Sequence, residues 1–104
     1  MIVAIVTFRL PKPTSLDEIT ATFQSTAPRY RGVAGLLRKN YWVSEDGRRA
    51  GGIYVWESRA DAERVYTPEW KKLVESKYGT APEIEYLHSP VMVDNRDGTI
   101  SVAA

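Results

Sequence analysis

The chain predicts an α+β fold of the ferredoxin-like type, with elements in the order β-α-β-β-α-β. Three observations predict it. An apolar strand opens the sequence, a long hairpin centres on Asp46-Gly47, and two stretches of helical periodicity separate these from each other and from a last strand. The arrangement gives a four-stranded antiparallel sheet with two helices on one face.

Ile2 to Arg9 is apolar at nearly every position, as in a strand buried on both faces, and Pro11-Lys12-Pro13 stops it because proline cannot donate to a ladder. Ser15-Leu16-Asp17-Glu18 fits a capping box. Leu16, Ile19, Phe23, Ala27 and Tyr30 then recur at helical spacing, and the helix is expected to end near Tyr30. The hairpin runs from about Leu36 to Glu57, with Arg38, Asn40, Tyr54 and Trp56 mixed among strong strand formers. Ser58 opens the second helix, whose inner stripe is Ala62, Val65, Tyr66, Trp70, Leu73 and Val74. Pro68 is expected to kink or split it, and Gly79 to end it. Glu83 to about Asp94 reads as the fourth strand, interrupted at Ser89-Pro90, and Thr99 to Val102 as a short strand folding back after a turn at Asn95–Gly98.

With 104 residues and no linker or repeat, residues 1–104 read as one domain. A net charge of +1 argues against an electrostatically driven nucleic-acid or membrane binder. The absence of cysteine removes thiol nucleophiles, disulfides and thiolate metal sites, and a single histidine removes any site needing two His ligands from one chain. No metal or cofactor is expected. The N-terminal apolar run lacks a basic n-region and no segment is long enough to span a membrane, so a cytoplasmic location is expected. Helices cover one sheet face only. A first strand and hairpin apolar on both faces therefore need a second cover, and another copy of the sheet is the simplest, which predicts a homodimer packed sheet against sheet.

The Gly35-Leu36-Leu37-Arg38-Lys39 stretch, the Gly51-Gly52-Ile53-Tyr54-Val55-Trp56-Glu57 strand and the helix after it resemble the putative mono-oxygenases of the YdhR type, in the dimeric α+β barrel superfamily that includes the antibiotic-biosynthesis monooxygenases. The resemblance spans about Ile2 to Asp94. It implies a pocket between helices and sheet for a small, flat aromatic or quinol-like substrate such as an anthrone, oxidised by molecular oxygen without flavin, haem or metal. The substrate is deprotonated and its anion reduces oxygen, so a proton acceptor, oxyanion donors and water-excluding aromatic walls are needed. Haem-degrading relatives use an Asn–Trp–His set. Thr7 in the first strand and the lack of histidine in the second helix depart from it.

Against this background eight side chains are candidates. Arg38 would bind an enolate or quinone oxygen, or else form a rim ion pair with Glu57, Glu83 or Glu85, and Asn40 shares its strand parity and would act as a neutral donor. Tyr54 and Trp56, two apart on one strand, would stack on a planar ligand or pack the core or a dimer contact. Tyr66 and Trp70, at i and i+4, would form the opposite wall or simply pack. His88 is the default proton acceptor because its unperturbed pKa lies nearest neutrality, although a lone histidine on an apolar face also serves structural roles; Tyr86 shares its face. Gly51-Gly52 marks a bulge or a close approach by backbone or ligand.

Three rival functions stay open at this stage. A non-catalytic small-ligand-binding or stress-related dimer would use the same fold, and so would a superfamily isomerase or lyase, which needs proton transfer but no oxygen. RNA-recognition motifs share the element order, but Gly52 stands where their third-strand aromatic belongs.

Overall fold

A computed structural model describes residues 1–103. The first strand, β1 (Ile2–Arg9), is central and pairs antiparallel with two others. One is β3 (Arg49–Trp56), with Ala4 opposite Tyr54; the other is β4 (Glu83–His88), with Ala4 opposite Tyr86. The outer strand β2 (Leu36–Val43) pairs with β3, giving the order β2-β3-β1-β4. This is the ferredoxin-like sheet that the sequence predicts.

Local chemistry sets the helix ends. Helix α1 (Leu16–Thr26) begins where the backbone N–H of Glu18 donates to Ser15 Oγ (3.2 Å), and a 3₁₀ turn over Ala27–Tyr30 extends it to the expected limit. The second helical stretch is split as Pro68 predicts. Helix α2 (Arg59–Val65) is capped by Ser58, and α3 (Pro68–Tyr78) is capped by Thr67 with Pro68 in the first turn, where its missing N–H costs nothing. Gly79, at φ 88°, ends α3 with its N–H on the Glu75 carbonyl (2.7 Å).

The stretch read as one interrupted strand from Glu83 to Asp94 is two strands in two different sheets. After β4 the Ser89 N–H still reaches the Met1 carbonyl (2.9 Å), but Pro90 has no N–H to continue the ladder. The chain leaves the main sheet there, and β5 (Val91–Asp94) pairs with β6 (Thr99–Val102) in a separate ribbon.

The core lies between the sheet and the helices. Ala4, Val6 and Phe8 of β1 and Ala50, Tyr54 and Trp56 of β3 pack there against Ile19, Phe23, Ala62, Tyr66, Trp70 and Val74. The opposite sheet face carries Val3, Ile5, Ile53, Val55 and Leu87, neighbours across the strands. Within the protomer this face is open, with Ile53 and Leu87 40% and 41% exposed. So β1 is apolar on both faces, as expected, but one chain buries only one of them. No helix among the described residues is long and apolar enough to cross a membrane.

Candidate active site

Between the sheet, α1 with its 3₁₀ turn, and α3 lies a cleft built almost wholly of aromatic and aliphatic groups. Its floor is β3. Gly51 and Gly52 lie side by side there, and both are buried. A Cβ on Gly52 would come within 3.2 Å of Lys39 Cε and 2.8 Å of Tyr54 Cε1, so the bare glycine makes room for these two side chains. A Cβ on Gly51 would instead meet the Val6 carbonyl oxygen of β1 at 1.8 Å.

The walls are tied together by hydrogen bonds that satisfy their polar ends. The Trp70 indole donates to the Tyr30 hydroxyl (3.0 Å), and Thr26 Oγ1 and the Tyr41 hydroxyl share a hydrogen bond of 2.7 Å. Phe23 stacks on Tyr41 with centroids 4.5 Å apart, Phe8 on Tyr78 at 4.1 Å, and Tyr30 meets Tyr54 edge-on at 5.8 Å. The free volume left inside is about 40 Å³, little more than one water molecule occupies.

Lys39 fills much of the remainder. Its ammonium nitrogen sits 3.4 Å from the ring centroid of Tyr30, 3.7 Å from that of Tyr41 and 4.6 Å from that of Tyr54. Among the described residues no carboxylate lines the cleft; Arg29 and Lys77, both exposed, are its other charged groups. Burial pushes the Lys39 ammonium down from 10.5 to about 7. The negative faces of the three rings pull the other way, since they attract the cation. Burial also raises the phenols of Tyr54 and Tyr41, most strongly that of Tyr54, and pushes Tyr78 up to about 12. These hydroxyls are neutral at physiological pH, able to donate hydrogen bonds and not to serve as anionic bases.

The sequence-predicted site residues separate into groups. Tyr54 and Trp70 line the cleft. Trp56 and Tyr66 lie behind them in the core; the Trp56 indole donates to the Tyr66 hydroxyl (3.1 Å), and Trp56 is wholly buried. Burial raises the Tyr66 phenol, partly offset by that hydrogen bond. Tyr86 stands to the side on β4 with the Arg59 guanidinium 4.1 Å above its ring. His88 is at the end of β4 opposite Ile2, exposed and outside the cleft.

Arg38 and Asn40 are exposed and neither lines the cleft; Arg38 instead borders an outer groove at the β2 edge together with Leu37, Tyr30 and Tyr41. The pairing explains why. Lys39 stands opposite Tyr54, Arg38 opposite Val55 and Asn40 opposite Ile53. Residues directly opposite in an antiparallel pair share a face, so Lys39 joins Tyr54 while its neighbours point away. A bulge between Leu36 and Arg38 absorbs one extra residue, so Leu36 still faces Trp56. Lys39 is the residue that sequence reasoning missed, and a signal existed. Counting outward from Asp46-Gly47 as the centre of the hairpin pairs position 39 with position 54.

Comparison with known proteins follows the same lines. The sequence profile of the family described as "putative mono-oxygenase ydhR" matches residues 3–84. No curated protein matches the chain. Among solved structures, a monooxygenase from the gene ActVA-Orf6 of Streptomyces coelicolor, in complex with the ligand nanaomycin D, superposes with a TM-score of 0.63 at 25% identity, over 85% of this chain and 86% of that one. SnoaB, a cofactor-independent oxygenase from Streptomyces nogalater, gives 0.60 at 15% identity, over 85% and 91%. A putative antibiotic biosynthesis monooxygenase from Deinococcus radiodurans gives 0.66 at 11% identity, over 90% and 97%. The last two likenesses are of fold.

Proposed function

Because the chain belongs to the putative mono-oxygenase ydhR family, we propose that it is a small homodimeric oxygenase whose cleft takes a flat aromatic or quinol-like substrate and oxidises it with molecular oxygen. The observation that carries this reading is the aromatic cleft between sheet and helices, walled by Tyr30, Tyr41, Tyr54 and Trp70 and nearly free of water space. Ring faces on several sides suit a planar ligand, and a dry site strengthens each electrostatic contact with the charge that develops on it. The S. coelicolor monooxygenase, similar over 85% of this chain, was solved with a small-molecule ligand, in keeping with a small-molecule substrate here.

The reaction balances without an added reductant. An anthrone-type methylene loses a proton to give a delocalised carbanion–phenolate, and that anion passes electrons to oxygen. One oxygen atom becomes the new carbonyl and the other leaves as water, so that CH₂ + O₂ gives C=O + H₂O. The walls orient the substrate and exclude bulk water, while the neutral Tyr54 hydroxyl and its neighbours supply donors for the oxyanion. Substrate entry requires the cleft to widen beyond its 40 Å³, which outward rotation of the long Lys39, Arg29 and Lys77 side chains would provide.

The dimer in this reading is formed sheet against sheet. Its support is the run of Val3, Ile5, Ile53, Val55 and Leu87 across three strands, left open by the helices. Arg38 and Asn40 would then face the partner and not the substrate.

Oxygen uptake by metal-free protein with a panel of anthrones and hydroquinones tests the function. Substrate-dependent, saturable uptake is expected. Saturable quenching of tryptophan fluorescence by the same compounds with no uptake would replace the reading with a binding protein. Conversion that proceeds unchanged under nitrogen would replace it with an isomerase or lyase.

A further inference from the structure

Of the three cations lining the cleft only Lys39 is drawn inside, it has no acidic partner among the described residues, and the oxygenase reading assigns it no task. Lys39 projects from β2 into a cage of three tyrosine rings, with its nitrogen within 3.4–4.6 Å of all three centroids. A lysine left in water would reach solvent and keep a full hydration shell, whereas this one is half-buried with its nitrogen over ring faces. The groups that face it come from every surrounding element. Tyr41 comes from β2, Tyr54 from β3, Tyr30 and Arg29 from the 3₁₀ turn, and Lys77 and Tyr78 from α3. All are phenols or cations; α1 contributes only the uncharged Phe23 and Thr26. The site therefore has positive charge and hydrogen-bond donors, and it lacks the negative charge that would hold an ammonium permanently in place.

We propose that Lys39 is the proton acceptor of this cleft, taking the acidic proton of a hydroxylated aromatic ligand and then holding the resulting anion as its ammonium counter-ion. The step is a proton transfer alone. The Lys39 lone pair forms an N–H bond, the methylene C–H of an anthrone or the O–H of its hydroxylated tautomer breaks with its electron pair delocalised onto oxygen, and a neutral pair of groups becomes an ion pair in the cleft. The ligand class follows from the same chemistry. It is a planar aromatic with an ionisable hydroxyl, whose ring lies against Tyr54 and Trp70 and whose oxygen meets Lys39, with Arg29 and Lys77 at the mouth adding positive potential. Among the described residues, burial keeps the phenols of Tyr41, Tyr54 and Tyr78 protonated, Arg29 and Lys77 are exposed at the mouth, and His88 lies outside the cleft. Burial lowers the affinity of Lys39 for its own proton, from 10.5 toward about 7, which raises the neutral fraction present at physiological pH above that of a lysine in water.

The proposal rests on the oxygenase reading for the fate of the anion, but not for the proton transfer. The test separates the two. Under nitrogen, 1,8-dihydroxyanthrone is mixed at pH 7 with the wild type, Lys39→Met and Lys39→Arg, and the bound anion is followed by its red-shifted absorption; air is then admitted and oxygen uptake measured. The expected result is bound anion with the wild type only. Lys39→Met should bind the neutral ligand, and Lys39→Arg, which keeps the charge but cannot take a proton, should bind the anion only when the pH is raised. Uptake should fall roughly 100-fold or more in both variants. Anion formed equally well by Lys39→Met, or none formed by the wild type, would overturn the assignment. Undiminished uptake in Lys39→Met would overturn it while leaving the oxygenase reading intact. Anion formed by the wild type without any uptake in air would sink the oxygenase reading and leave Lys39 as the proton acceptor. Nitrogen-15 NMR of the lysine Nζ gives a check free of ligand, in which a Lys39 midpoint above 10 would also overturn the proposal.

Discussion

Replacing Lys39 with methionine should make the protein more stable at acid and neutral pH, an outcome opposite to that of most substitutions at a candidate site. Methionine has nearly the same length and flexibility and can lie among the tyrosine rings, but it brings no charge. The magnitude follows from the displaced proton affinity. A drop from 10.5 to about 7, at about 1.4 kcal/mol per pH unit, sets a ceiling of about 5 kcal/mol on the cost of burying the ammonium. The three ring faces return about 2 kcal/mol of that between them, which leaves about 3 kcal/mol. The cost is full below pH 7, where folded and unfolded chains both carry the charge. It shrinks as pH rises from about 7 to 10.5, because there the unfolded chain binds the proton and the folded one does not. Urea unfolding of both proteins from pH 6 to pH 10, at one protein concentration, measures it. With a slope of about 2 kcal/mol/M, the mutant midpoint should lie about 1.5 M higher at pH 6, and the gap should close toward pH 10. A mutant no more stable at pH 6, or a gap that does not change with pH, would refute the argument that the ammonium is held in the cleft at a cost.

Three further outcomes are expected. Gly51→Ala should cost more than about 3 kcal/mol, since its Cβ would stand 1.8 Å from the Val6 carbonyl and the strands would have to part, whereas Gly52→Ala meets only the movable Lys39 and Tyr54 side chains and should cost about 1 kcal/mol. Urea midpoints in the reverse order would contradict this account of the cleft floor. Ile53→Lys, on the open face, should convert a dimer into monomers in sedimentation velocity without loss of helical circular dichroism, and a wild type already monomeric at micromolar concentration would remove the sheet-to-sheet dimer. The phenols of Tyr41, Tyr54, Tyr66, Tyr78 and Tyr86 are all raised above 10.0, mainly by burial, so the folded chain keeps protons that the unfolded chain releases and stability should fall as pH rises through 10. Absorbance at about 295 nm should then show most of the six tyrosines ionising together with unfolding; independent ionisation of all six near pH 10 in folded protein would contradict their burial.

Much of this protein is decided within short stretches of chain. Ser15, Ser58, Thr67 and Gly79 place the helix ends through contacts with residues three or four away, and Pro68 splits the second helix by geometry internal to one residue. The apolar run of β1 and the turn at Asp46-Gly47 are likewise local, and together these make the element order legible without coordinates. Pro90 shows the limit of such reading. Its missing N–H is local knowledge, but the departure of β5 to pair with β6 in a separate ribbon depends on which backbone groups lie alongside.

The cleft depends on distance in sequence. Tyr54 and Trp56 share parity on one strand and both are buried, yet only Tyr54 lines the cleft, while the Trp56 indole donates to the Tyr66 hydroxyl behind it. Arg38 and Lys39 are adjacent basic residues that composition and propensity cannot tell apart. The register of β2 against β3 sends one to the open face and the other among three rings, and a shift of one residue would exchange them. The sequence by itself therefore determined the helix boundaries, the strand order along the chain and the aromatic character of the hairpin, since those rest on neighbours a few residues apart. Only the tertiary structure decided that Lys39 lies half-buried among the tyrosine rings and that His88 is exposed outside the cleft. A side chain's proton affinity is set by what surrounds it, and for Lys39 two of the three rings come from Tyr30 and Tyr54, 9 and 15 positions away.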